Sequence, residues 1–269
     1  MQDRANMLTQ ERLDAIRNQL LRDGKVISSD LAVEFGTSED TIRRDLRDLA
    51  RSGFCRRVYG GALIETPIPA PISARLQADA AAKHSLATVA AALVTSGQTL
   101  FIDAGSTNTA IAAALSRQID LTILTNAPAV AIALSDHPRA RVVLLGGVLD
   151  LNIGAALGGT TLQAIRQINA DLLFLGSCGV DAAHGISAFD PAEAEVKRAM
   201  VDQSSQLIVA ATLDKLGTAA PFKVAETPAI THLVLPAEAD PAQVARFRVH
   251  GVEVHLPASA DQVHPLRAS

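Results

Sequence analysis

Apolar residues in the first sixty positions recur every three to four residues, which is the spacing of one helical face. Three such runs predict helices over residues 9–24, 30–35 and 39–52. Gly24 and Gly36 end the first two runs, and glycine readily adopts the left-handed backbone that terminates a helix. The residues placed to cap the three helices are Thr9, Ser28 or Ser29, and Thr37 or Ser38. Helix, short helix, turn and helix, in that order, indicate a helix-turn-helix.

The third predicted helix is amphipathic. Ile42, Leu46 and Leu49 are spaced i, i+4, i+7 and should face the core, which leaves polar and basic side chains on the other face. The N-terminus of such a helix reaches base edges in the major groove, where arginine binds guanine or neutralises a phosphate. Two extended runs around Gly60 and Gly61 predict a β-hairpin wing. The predicted DNA-contacting residues are Ser38, Glu39, Thr41, Arg43, Arg44, Arg47, Arg56 and Arg57.

From residue 98 onward, short apolar runs alternate with amphipathic ones. The apolar runs predict strands at residues 98–104, 121–126, 141–147, 170–176, 206–211, 231–236 and 252–257. The amphipathic runs predict helices at residues 106–115, 127–134, 159–168, 191–203 and 239–250, after one long Ala-rich helix at 73–94. This alternation indicates an α/β domain with an open, largely parallel sheet and helices on both faces.

A proline-rich segment separates the two patterns. Residues 65–72 read ETPIPAPI, and proline neither donates a backbone hydrogen bond nor continues a helix. We therefore expect a DNA-binding domain over residues 1–64, a linker over 65–74, and an effector-sensing and oligomerisation domain over 75–269.

Small and polar residues follow four of the predicted strands, at the edge where open α/β sheets bind ligands. They are Asp103, Gly105, Ser106 and Thr107, then Thr125 and Asn126, then Gly146 and Gly147, then Gly176, Gly179 and Asp181. A single glycine or serine at a strand end is usually turn chemistry alone. Four such loops in series favour a ligand crevice, and the helix N-terminus after Gly105 could bind an anion.

Charge is distributed unevenly along the chain. The formal net charge is -4, yet residues 1–62 hold 11 Lys/Arg against 10 Asp/Glu. A slightly basic N-terminal region (residues 1–62, the head) on an acidic remainder of the chain (the body) is typical of a DNA-binding head. A solvated helix face would give the same charge. Two distant cysteines and seven histidines without ligand spacing give no reason to expect a disulfide, metal or cofactor. Without a membrane span or signal peptide, we expect a cytoplasmic protein that is nucleoid-associated when DNA-bound.

Two strings in the head, TIRRDLRDL at residues 41–49 and RRVYGGA at 56–62, resemble the signature of the DeoR family of bacterial transcription regulators. The resemblance extends to FIDAGSTNT, LTILTN, VVLLGG, LLFLGSCGVD and AEAEVKRAM in the body. It implies a winged helix-turn-helix followed by a sensor domain similar in fold to ribose-5-phosphate isomerase, with a phosphorylated sugar or related metabolite as inducer. A three-helix scaffold with no DNA role is the alternative interpretation of the head.

The same resemblance assigns effector-binding residues, which physical chemistry supports in part. They are Asp103, Gly105, Ser106, Thr107, Asn126, Gly147, Glu193, Lys197 and Lys215. Either lysine could neutralise a phosphate, although Lys197 could equally form a surface ion pair with Glu193 one helical turn away. The family commonly has an aspartate where this chain has Thr212, so the resemblance implies no ligand contact at that position.

The implied function is a DNA-binding repressor of a carbohydrate catabolic operon, assembled as a homodimer or homotetramer and relieved by its effector. One alternative is an isomerase- or deaminase-like enzyme fused to a DNA-binding head, with Asp103, Asp181 and Glu193 as candidate acid/base groups. Another is a constitutive DNA-binding protein whose second domain only oligomerises.

Overall fold

The computed structural model of the chain describes residues 8–51, 55–64 and 70–257. The chain divides into two units, Met1–Pro69 and Ala70–Ser269. Residues 65–69 of the predicted linker lie outside the described residues, and the first helix of the second unit begins at Ile72, inside the range predicted as linker. Within the described part of the chain, no helix has the length and apolar character needed to cross a membrane.

The described residues of the first unit form three helices and a three-stranded antiparallel sheet. The elements are α1 (Thr9–Asp23), β1 (Lys25–Ile27), α2 (Ser28–Glu34), α3 (Glu39–Arg51), β2 (Cys55–Val58) and β3 (Gly61–Ile64). The strand order is β1-β3-β2, so the predicted hairpin is present and gains a third strand. That strand is the segment around Val26, between the first two helices, which pairs antiparallel with β3. The result is the predicted winged helix-turn-helix.

The core of this unit is built from the periodic apolar positions. Ile42, Leu46 and Leu49 of α3 are buried and pack with Ile16 and Leu20 of α1. Burying an aliphatic side chain of this size stabilises the fold by about 1.5–3 kcal/mol. These contacts hold α3 with one face inward, which determines the face that it exposes.

Capping differs from the sequence prediction at two of the three helices. Thr9 and Ser28 are the first residues of their helices, and neither residue before them makes a side-chain capping bond. Instead, the Glu11 carboxylate accepts from the Leu8 N–H at 3.0 Å. Ser38 does cap α3 as predicted, because its hydroxyl accepts from the Thr41 N–H at 3.2 Å.

The second unit is an α/β fold around a parallel sheet. Its helices are α4 (Ile72–Gln77), α5 (Ala80–Ala91), α6 (Ser106–Ala114), α7 (Pro128–Ala133), α8 (Gly159–Ile165), α9 (Pro191–Asp202) and α10 (Pro241–Val249). Its strands are β4 (Thr99–Ile102), β5 (Leu121–Thr125), β6 (Ala140–Leu144), β7 (Val148–Asp150), β8 (Ala155–Leu157), β9 (Ala170–Leu175), β10 (Gly179–Asp181), β11 (Gly185–Ala188), β12 (Ser204–Ala210), β13 (Phe222–Ala225), β14 (His232–Val234) and β15 (Glu253–His255).

The seven predicted strands all belong to one sheet, ordered β15-β14-β12-β9-β4-β5-β6, with every neighbouring pair parallel. In β4, the consecutive residues Leu100, Phe101 and Ile102 are all fully buried. Successive side chains of a strand point to opposite faces, so the sheet is covered on both sides, as predicted. Strand order reverses between β4 and β9, and open α/β sheets bind ligands at such a switch point.

Two small antiparallel sheets, β10-β11-β13 and β7-β8, were not predicted. The single helix predicted over residues 73–94 was also wrong, because the chain breaks between α4 and α5 at Asp79, whose φ is +51°. The Lys83 ammonium donates to the carbonyls of Arg75 and Ala78 at this break. A buried lysine thus satisfies carbonyls that a continuous helix would have used internally.

Candidate functional site

The outward face of α3 carries an arginine cluster. Arg43, Arg44 and Arg47 are exposed, opposite the buried Ile42 and Leu46. Arg43 is engaged by its own helix, since its guanidinium contacts Glu39 at 2.7 Å and Asp40 at 3.2 Å. Arg44 and Arg47 make no hydrogen bond or ion pair to any described residue. These two cations are therefore available to an external anion.

A buried ion pair fixes the orientation of α3. Arg12 of α1 donates to Asp45 of α3 through Nε at 2.6 Å and Nη2 at 3.2 Å, and both side chains are largely buried. The hydrogen bond from Arg12 to this carboxylate raises the pKa of the guanidinium. A bidentate pair restricts rotation of one helix against the other. Asp45 thus holds α3 in place from its buried side, opposite the exposed arginines.

The hairpin adds a second exposed surface in the same unit. Arg57 on β2 is exposed and makes no ion pair to a described residue, and the side chain of Arg56 lies outside what the structure describes. Tyr59 at the hairpin tip is fully exposed. Tyr59 is not among the predicted DNA-contacting residues, although it is the only tyrosine of the sequence and precedes a Gly-Gly turn, which was a usable signal.

The candidate ligand cleft of the second unit lies at the switch point between β4 and β9. The space within it that a water molecule can enter is about 20 Å³. The residues lining it are Arg75, Ala104, Gly105, Ser106, Thr107, Asn108, Gly176, Ser177, Cys178, Glu193, Lys197, Ala210 and Lys215. Six of the nine predicted effector residues line this cleft. Asp103 is not part of the lining, but it accepts a hydrogen bond from Lys197, which is.

Asp103 and Lys197 form the buried base of the cleft. The Asp103 carboxylate accepts from the Gly176 N–H at 3.0 Å and from the Lys197 ammonium. Lys197 also donates to the Gly176 carbonyl at 2.7 Å and lies 3.2 Å from Glu193. Burial lowers the pKa of Lys197, but the two carboxylates outweigh it, and the pKa is raised. Because its donors are already engaged, Lys197 holds the loops after β4 and β9 together.

Gly176 is required by this close approach of two loops. A Cβ at this position would lie 2.2 Å from the Ala104 carbonyl oxygen and 3.1 Å from Asp103 Oδ2. Asn108 adds a further link, donating to the carbonyls of Asp103 at 2.9 Å and Phe174 at 3.1 Å. The floor of the cleft is therefore a rigid polar network rather than a loose cavity.

Several donors in the cleft have no protein partner. The first three N–H groups of α6, from Ser106 to Asn108, make no hydrogen bond to a described residue. The ammonium of Lys215 makes none either, and burial lowers its pKa. The Ser177 hydroxyl is buried and unpartnered within the described chain. Helix N-terminal amides and an unpaired lysine are the groups that bind phosphate.

The net charge of the cleft also favours an anion. Three cations, Arg75, Lys197 and Lys215, face two carboxylates, Asp103 and Glu193. Burial, with a further contribution from Glu193, raises the pKa of the Cys178 thiol, so this cysteine stays protonated. Arg75 and Ser177 line the cleft but are not among the predicted effector residues. Ser177 follows a strand end as Ser106 does, whereas no local sequence pattern marks Arg75.

Two predicted effector residues lie elsewhere. Asn126 donates to the Ala156 carbonyl at 3.2 Å, at the end of β5 beside β8. Gly147 is packed where a Cβ would lie 2.1 Å from Thr161 Oγ1, which explains the glycine without a ligand. Of the candidate acid/base groups, Asp181 is also outside the cleft lining, since its carboxylate accepts from Ala183 N–H at 2.9 Å within its own turn.

Two family models match the chain, one in each of its two units. The DeoR-like helix-turn-helix domain matches residues 12–67, and the DeoR C-terminal sensor domain matches residues 78–236, which is more than half of the chain. The chain belongs to the DeoR family. It is a DNA-binding transcriptional regulator rather than an enzyme, and the enzyme alternative is not favoured.

Relatives in this family resemble the chain over most of its length. The glycerol-3-phosphate regulon repressor of Escherichia coli K12 is 33% identical, covering 77% of this chain and 82% of its own. GlcR, an HTH-type transcriptional repressor of Bacillus subtilis, is 30% identical over 85% and 88% of the two chains. GolR, an HTH-type transcriptional regulator of Listeria innocua, is 29% identical over 91% and 98%.

Among solved structures, ribose 5-phosphate isomerase A from Methanocaldococcus jannaschii is similar to half of the DeoR-family chain. It is 12% identical, covers 50% of this chain and 53% of its own, and gives a TM-score of 0.37. A likeness of this size supports no conclusion about activity.

Proposed function

We propose that α3 and the hairpin bind operator DNA and that the chain represses a carbohydrate catabolic operon until a sugar phosphate occupies the cleft. The observation that carries the DNA part is the pair of exposed, unpaired cations Arg44 and Arg47 on a helix locked by Arg12 and Asp45. Ser38, Glu39, Thr41 and Arg43 lie at the N-terminal end of the same helix, where base edges are reached. Tyr59 and Arg57 would lie along the phosphate backbone.

The effector part rests on the donors of the cleft. The α6 N-terminus and Lys215 would bind the phosphate, with Arg75 as a further cation. Glu193 and the Ser177 hydroxyl would contact the sugar hydroxyls. In this proposal Lys197 positions Asp103 instead of meeting the ligand, and Asn126 and Gly147 shape the sheet edge. A relative named the glycerol-3-phosphate regulon repressor agrees with a small phosphorylated ligand.

We further propose a homodimer or homotetramer acting at the nucleoid in the cytoplasm. Two helix-turn-helix heads would occupy half-sites about one helical turn, ~34 Å, apart. The effector would bind one arrangement of the subunits better and shift the population away from the DNA-competent one. Light scattering of the purified chain measures the oligomeric state, and a monomer at the concentrations that bind DNA would contradict this arrangement.

The test of DNA binding uses the full chain and DNA from upstream of its own gene. Arg44→Ala and Arg47→Ala should each weaken binding. A base contact would cost about 1–3 kcal/mol and relax specificity. A phosphate contact would reduce the slope of log K against log salt by about 0.9. Arg141→Ala, an exposed arginine on β6, is the control with the same charge change. Equal binding by all three variants would remove α3 from the interface.

The test of effector binding adds a panel of phosphorylated sugars to the DNA complex. A sugar phosphate should release the wild-type chain, whereas the parent sugar should not. Ser106→Asp should abolish this release and leave DNA affinity unchanged, because it places a negative charge at the α6 N-terminus. Ser106→Ala is the neutral control. Normal release of Ser106→Asp would mean that the phosphate binds elsewhere, and no release by any member of the panel would favour a constitutive DNA-binding protein.

A further inference from the structure

A cluster of metal-binding side chains lies at one edge of the parallel sheet, on strands that the cleft does not use. His232 begins β14, and Glu253 and His255 belong to β15. In the parallel register His232 pairs with Glu253 and Val234 with His255. Residues two apart on a strand share a face, so all three side chains project from the same side of the two strands.

The distances within this cluster match those of a small coordination shell. His232 Nδ1 lies 3.1 Å from His255 Nε2. Glu253 Oε2 lies 3.4 Å from His232 Nδ1, and Oε1 lies 3.7 Å from His255 Nε2. Ligands bound tetrahedrally to zinc at about 2.0–2.1 Å are separated by roughly 3.3–3.4 Å. The three groups are therefore already close to the spacing that a zinc ion would impose.

Burial and charge in the cluster are also consistent with a metal. The imidazole side chains are 17% and 20% exposed and the Glu253 side chain is 66% exposed, which leaves one open side for water or a further ligand. Glu253 has no lysine or arginine partner among the described residues. Its charge is thus not neutralised by a protein cation when both histidines are neutral.

We propose that His232, Glu253 and His255 form a binding site for a divalent transition metal ion, with Zn²⁺ as the ion of choice. Two imidazoles and one carboxylate with an open fourth position are a zinc-type donor set. The ion would cross-link the last two strands of the sheet, at the end farthest along the strand order from β6. The spacing of 23 residues between the histidines explains why no sequence motif revealed the site.

Isothermal titration of the metal-free full chain with Zn²⁺ tests this proposal. The wild type should bind an ion that His255→Ala binds at least about 100-fold more weakly, since even outer-shell changes cost 10–100-fold. Glu253→Gln alters an exposed side chain and should weaken binding about tenfold or more. His250→Ala, an exposed histidine just beyond α10, is the matched control and should bind like the wild type. Circular dichroism without metal checks that each variant is folded.

A second measurement does not depend on the variants. Co²⁺ in the wild-type chain should give the visible bands of a tetrahedral site without the thiolate charge-transfer absorption that Cys55 or Cys178 would produce. A wild-type chain that binds no Zn²⁺ at micromolar concentrations refutes the proposal. So does Zn²⁺ affinity that is unchanged in both His255→Ala and Glu253→Gln, or a cobalt spectrum dominated by thiolate.

Discussion

Removing the ammonium of Lys197 should destabilise the second unit strongly. Lys197 is 1% exposed and donates to Asp103 and to the Gly176 carbonyl. Lys197→Met keeps the volume of the side chain but leaves the Asp103 carboxylate, itself 1% exposed, with only the Gly176 N–H as a partner. Breaking a buried pair in this way costs about 3–5 kcal/mol.

The assay is thermal unfolding of the full chain by calorimetry. In a domain of this size, a loss of 1 kcal/mol in the free energy of unfolding lowers the melting temperature by about 2–4 °C. Lys197→Met should therefore lower the melting temperature of the second unit by roughly 6–20 °C. Lys223→Met removes an exposed lysine paired with Glu226 and is the control, expected within about 1 kcal/mol of the wild type.

A double-mutant cycle separates the buried pair from general loss of packing. Lys197→Met combined with Asp103→Asn removes both charges, so the double variant should be clearly less destabilised than the sum of the single variants. Additive losses, or a shift for Lys197→Met no larger than that for Lys223→Met, would show that the two groups do not stabilise each other. The proposal that Lys197 holds the loops after β4 and β9 together would then be wrong.

Three further predictions concern the head and the cleft. Arg12→Met leaves the Asp45 carboxylate buried and unpaired, so it should lower the free energy of unfolding by about 3–5 kcal/mol. It should also abolish operator binding, although Arg12 itself is not proposed to contact DNA. Adding Asp45→Leu should restore folding, as measured by circular dichroism. Gly176→Ala should destabilise the second unit by about 1–3 kcal/mol in denaturant titration and weaken effector binding, because its Cβ would clash with the Ala104 carbonyl; unchanged stability would contradict the close approach. Burial lowers the pKa of Lys215, so its positive charge is lost at a lower pH than in an ordinary lysine; sugar-phosphate affinity measured by calorimetry should therefore fall on the alkaline side, and Lys215→Arg should retain binding to higher pH.

Local pattern was sufficient for most of the secondary structure. The seven parallel strands and the helices between them were predicted because a buried parallel strand needs a continuous apolar run and a covering helix needs an apolar stripe. The face of α3 followed from the spacing of Ile42, Leu46 and Leu49. The pattern of helix-forming residues over 73–94 wrongly predicted one continuous helix. The helix is interrupted at Asp79, where Lys83 binds carbonyls of the preceding turn.

The sequence by itself therefore determined the two domain types, the elements of the sheet and the loops that carry polar residues. Tertiary structure decided which of those loops meet. Strand order brings the segment after β4 against the segment after β9 and leaves Asn126 and Gly147 outside the cleft. It also places His232 beside His255. Pairing between distant strands depends on contacts across the whole sheet, and no local window of sequence contains that information.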